Sequence, residues 1–132
     1  MERPGPYERR IGERVPIEPI EVTWLVPAEE SGRFGRRRRV VREQSGRVLD
    51  VSITGAAIEG PAESGLRTGA EVTIRACGGD SVVRIRRAQE TERSGILRYG
   101  VEFVALDGGL KGEVSSILQR GRPGESTWRR SL

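Results

Sequence analysis

Apolar and polar residues alternate most clearly from Gly46 to Gly60, GRVLDVSITGAAIEG. Leu49, Val51 and Ile53 alternate with Asp50 and Ser52. Side chains along a strand have a period of two, so this spacing predicts one apolar face and one face carrying a carboxylate and a hydroxyl. Gly55 follows, where a residue without Cβ can turn freely or admit close approach to the backbone. The same period recurs elsewhere. Ile20, Val22, Trp24 and Val26 share a face in a first strand over 17–26. Val72, Ile74 and Ala76 form another, then Val83 and Ile85, then Leu97, Tyr99, Val101 and Phe103 opposite Arg98, Gly100 and Glu102. Turns are expected at Ala28–Gly32, Gln44–Gly46, Leu66–Gly69 and Gly78–Asp80, with a separate strand over Arg37–Glu43. Near the end the period changes to helical. Leu110, Val114, Ile117 and Leu118 share a stripe, Asp107 can cap it, and Arg120 with Gly121 closes it. The pattern as a whole predicts a mostly β protein, a small antiparallel barrel of six or seven strands with one C-terminal helix.

Composition agrees with that reading. The chain has 132 residues, the size of one domain, and 18 glycines and 7 prolines supply many turns. Charged residues reach 32% against 35% hydrophobic, so a compact core with a polar periphery is expected. Net charge is +4 and Lys111 is the one lysine. Arginine offers a planar fork that fits phosphate and the O6/N7 edge of guanine, which points mildly to a phosphate-bearing partner. The densest cationic run, Arg33 to Arg42, reads as a solvated edge or as a platform for nucleic acid or an acidic protein.

Several chemistries lose support. Without histidine there is no Ser-His-Asp or Cys-His arrangement and no histidine metal ligand. One cysteine, Cys77, allows no disulfide framework and reads as an inert, partly buried thiol. Gly108-Gly109-Leu110-Lys111-Gly112 is no phosphate loop, since no Ser or Thr follows the lysine. A binding protein is expected rather than an enzyme, with no cofactor and no metal. No run is long enough to span a membrane and no apolar leader is present, so a cytoplasmic location is expected.

Two motifs in order resemble the PilZ domain family. The first is an Arg-x-x-x-Arg arm, here Arg9-Arg10-Ile11-Gly12-Glu13-Arg14. The second is Asp-x-Ser-x-x-Gly, here Asp50-Val51-Ser52-Ile53-Thr54-Gly55. Leu66 with Gly69, Tyr99-Gly100-Val101-Glu102-Phe103 and the terminal helix follow in the family's order. Arg38 with Arg42, or Arg33 with Arg37, have the same spacing, but they fall after the first strand, where the family has no arm. The resemblance implies a tail over 1–6, a PilZ-like domain over 7–121 (arm 7–16, barrel 17–104, helix 108–120) and a polar tail over 122–132. It also implies a receptor for cyclic di-GMP, with Arg9, Arg10, Arg14, Asp50, Ser52 and Gly55 contacting the ligand. With no output domain attached, such a receptor is expected to signal in trans to a protein partner as its arm becomes ordered. The alternative expectation is an adaptor that uses the Arg33–Arg42 run for nucleic acid or an acidic protein.

Overall fold

The structure is a computed structural model and describes residues 14–32 and 35–120. Six antiparallel strands close into a barrel in the order β1-β2-β3-β6-β5-β4. They are β1 (Val15–Ser31), β2 (Arg37–Val51), β3 (Gly55–Pro61), β4 (Glu71–Ala76), β5 (Gly79–Glu90) and β6 (Ile96–Ala105), followed by helix α1 (Gly108–Arg120). Closure comes from Thr23–Leu25 of β1 pairing with Thr73–Arg75 of β4. A closed sheet satisfies backbone hydrogen bonds that an open one leaves at its edges.

The alternation holds for the later strands. Val72, Ile74, Val83, Ile85, Tyr99 and Val101 are buried, as are Val22, Trp24 and Val26 of β1. Trp24 fills the barrel and meets Tyr99 edge-on, ring centroids 5.5 Å apart. Its indole N–H donates to the Glu59 carbonyl at 3.0 Å, and the Tyr99 hydroxyl to the Pro61 carbonyl at 2.6 Å. Helix α1 lays Leu110 and Val114 on this core. The Gly109 N–H donates to Asp107 Oδ2, so Asp107 is the cap that the sequence indicates.

Several local expectations are corrected. Residues 28–32 and 44–46 are not turns: β1 runs on to Ser31 and β2 is one strand through Gly46. Gly46 is there because a Cβ would strike the Trp24 indole, not because the chain bends. Asp50 and Ser52 are not opposite a Leu49-Val51-Ile53 apolar face. The β2–β3 register shifts between Val48 and Asp50, making Leu49 the extra residue of a bulge. Val48 and Val51 are therefore core, Leu49 is half-buried and Ile53 is 57% exposed. The β4–β5 turn is Cys77-Gly78, with positive φ at both residues as a type I′ turn requires; Gly79 and Asp80 already belong to β5. Cys77 is exposed rather than partly buried. Local desolvation and the Glu113 carboxylate push its thiol above the ordinary range, which favours the protonated form.

β1 also takes in Val15 and Pro16, which the sequence reading assigned to the arm.

Two glycines should respond oppositely to a methyl group. At Gly55 a Cβ would run into the Val101 carbonyl, whereas at Gly112 in α1 it meets open space. Chemical denaturation should show Gly55→Ala losing about 1–3 kcal/mol and Gly112→Ala gaining about 0.5–1 kcal/mol. A harmless Gly55→Ala would contradict the close approach of β3 to β6.

Candidate functional site

The bulge at Leu49 turns Asp50 to the outer wall of the barrel. There one row of paired residues crosses five strands: Pro16, Asp50, Ala57, Gly100 and Arg87. Its middle is small. Ala57 and Gly100 have almost no side chain, so the wall dips between Asp50 on one side and Arg87 on the other. A Cβ at Gly100 would meet Arg87 Cγ at 2.9 Å and Nε at 3.0 Å, so the arginine stem lies across the glycine. Arg98, two residues along β6 and on the same face, and Gln89, its partner in β5, complete the rim. The resulting cleft, of about 80 Å³, is lined by Arg14, Ala57, Arg87, Gln89, Arg98 and Gly100.

Asp50 organises the charges. It is only 7% exposed, and burying a carboxylate is costly unless it is paired. Arg14 Nη1 donates to Oδ1 at 3.1 Å and Arg98 Nη2 to Oδ2 at 2.6 Å. Among the described residues no carboxylate pairs with Arg87. Three guanidinium groups thus line the cleft and two of them share its one acid, leaving it cationic. Such a place suits a polyanion that also offers N–H donors to a carboxylate.

Ser52 and Gly55 adjoin this cleft and have other engagements. Ser52 is 3% exposed. Its Oγ accepts from the Thr54 and Gly55 N–H groups at 3.3 and 3.1 Å, and it lies 3.3 Å from the Gly55 carbonyl, to which it donates. The hydroxyl pins the turn between β2 and β3. Arg9 and Arg10 lie outside the described residues. The structure therefore brings Arg14 onto Asp50 and sets Ser52 and Gly55 just beyond it. Arg87, Gln89 and Arg98 went unrecognised in the sequence. The alternation did put Arg98 and Gly100 on one face, but nothing local says that β6 lies beside β3.

The cationic run on the β1–β2 hairpin looks different. Arg37 Nη1 lies 3.5 Å from Glu29, Arg42 lies 3.9 Å from Glu63, and Arg38 also has a partner. Two of its arginines thus face a carboxylate on the same barrel. No helix among the described residues is long and apolar enough to cross a membrane, and no cluster of metal-ligating side chains occurs among them.

The molecule is a small closed barrel with an arginine-lined cleft beside one buried carboxylate. The chain belongs to the PilZ domain family, whose model matches residues 35–120 and so includes Asp50, Ser52, Gly55, Arg87 and Arg98. The PilZ domain is a receptor module for cyclic di-GMP. A search of curated proteins finds no match to this chain.

Replacing Ser52 tests its placement. Ser52→Ala leaves the buried Gly55 N–H and the part-buried Thr54 N–H without their acceptor, and denaturation should show a loss of about 1–3 kcal/mol in the absence of any ligand. Unchanged stability would mean that the hydroxyl does not hold the turn.

Proposed function

We propose that this chain binds cyclic di-GMP in the cleft beside Asp50 and passes the signal to a protein partner in trans. The observation that carries the reading is the buried acid inside an arginine cluster. Cyclic di-GMP carries two phosphates and two guanine bases, so it is anionic and also donates N–H groups. Phosphates and guanine O6/N7 edges suit the guanidinium forks of Arg14 and, from the lead-in, Arg9 and Arg10; Arg87 adds a cation that no carboxylate among the described residues pairs with. The guanine N1–H and N2–H donors suit Asp50, which no cation could replace. Ser52 and Gly55 serve the same site by fixing the loop next to the acid. Ala57 presents only a methyl group to the cleft, and a flat base would lie there beside the Arg87 stem that crosses Gly100.

The ligand ties the lead-in to the barrel because Arg14 directly precedes β1. Drawing residues 9–14 onto the bound dinucleotide creates a surface that differs between free and bound protein, and a partner reads that difference. A site for nucleic acid or an acidic protein on the hairpin has less support, since Arg37 and Arg42 already face Glu29 and Glu63.

Titration calorimetry should show saturable binding of cyclic di-GMP that GMP and GTP do not compete away. Arg14→Ala and Asp50→Ala should each weaken it at least tenfold, the scale of one charged hydrogen bond lost. Binding that survives both substitutions would remove this site from consideration.

A further inference from the structure

Asp50 has two carboxylate oxygens, and guanidinium groups occupy both: Arg14 on Oδ1 and Arg98 on Oδ2. The Asp50 side chain is 9% exposed, so little of it is left for a third donor. A guanidinium offers adjacent, parallel N–H donors to a carboxylate. The Watson–Crick edge of guanine offers N1–H and N2–H in the same side-by-side way. Here each guanidinium gives one N–H to one oxygen, so Arg98 on Oδ2 stands where one of guanine's two donors would, and Asp50 cannot offer that oxygen to guanine while Arg98 holds it.

We infer that Arg98 is an internal stand-in for the ligand's guanine, occupying Asp50 in the free protein and displaced from it on binding. This rests on the reading of Asp50 as the guanine acceptor given above. Arg98 is the better candidate than Arg14 for three reasons. It holds the shorter contact, 2.6 against 3.1 Å, so it is the occupant that matters. It is the more exposed of the two, 44% against 33%, so its head has somewhere to go. Glu59 also lies directly across from it in β3; its Oε1 already holds Arg47 and Arg93, and among the described residues Oε2 is left for a displaced guanidinium.

The consequence is a tuned affinity. Apparent binding equals intrinsic binding reduced by the fraction of molecules whose acid is open. A partly exposed ion pair supports a competition of about two- to fivefold.

The test is titration calorimetry with cyclic di-GMP on the wild-type chain and on Arg98→Lys at one salt concentration. Lysine keeps the positive charge beside the phosphates and loses the fork that imitates guanine. The variant should bind about two- to fivefold more tightly. An unchanged or weaker variant, with wild-type binding intact, overturns the stand-in and leaves the proposed function standing. Absence of binding by both proteins overturns the proposed function and the stand-in with it. Side-chain 15N NMR of the free protein gives a check without ligand: the Arg98 guanidinium should rotate slowly in the wild type and freely in Asp50→Asn. Free rotation in the wild type overturns the stand-in.

Discussion

One extra residue in β2 decides what the outer wall presents. Up to Val48 the strand alternates with Gly46 and Val48 inward and Arg47 outward. Continued without interruption, that rhythm would turn Asp50 into the barrel among Trp24, Ile58 and Val101, where an acid has no partner. The bulge at Leu49 reverses it, and Asp50 faces outward while Val51 joins the core. Everything in the cleft follows from that half-turn. The acid stands on a rigid strand rather than a loop, and its neighbours in the row are fixed by the ladders β2–β3, β3–β6 and β5–β6.

Core and cleft use the same strands without interfering. Inward residues of β3 and β6 are Ile58, Tyr99 and Val101; outward residues are Ala57, Arg98 and Gly100. Small residues appear on both sides for different reasons. Gly46 and Gly60 make room for the Trp24 ring, because a Cβ at either would strike it, while Gly100 makes room for the Arg87 stem on the outside. The cations above the cleft therefore lie on a surface that hydrophobic packing holds in place. A carboxylate with two guanidinium partners is costly to desolvate and adds little net stability. That cost is what the proposed recognition at Asp50 would offset.

The barrel and its helix were legible because alternation and the Leu110–Leu118 stripe are local signals, as were the Asp50 to Gly55 motif and the Asp107 cap. What misled were residues whose usual meaning is overridden at long range. Gly46 suggests a turn until Trp24, paired to Gln44 on the neighbouring strand, claims the space. Leu49 and Ile53 suggest core until the bulge moves them out. Arg98 was invisible as a partner of Asp50 because 48 residues and a strand crossing separate the two. The family model covers Asp50 and Arg98 but begins after β1, so the contact from Arg14 comes from the structure and not from that match.

The proposed recognition is centred on the outward carboxylate and not on the cationic hairpin. Backbone amide NMR during addition of cyclic di-GMP addresses this directly. Shifts should concentrate in residues 14–16, 50–57, 87–89 and 98–100, the strands that meet around Asp50, while residues 37–43 stay still. Shifts confined to 37–43, or none at saturating ligand, would contradict the account.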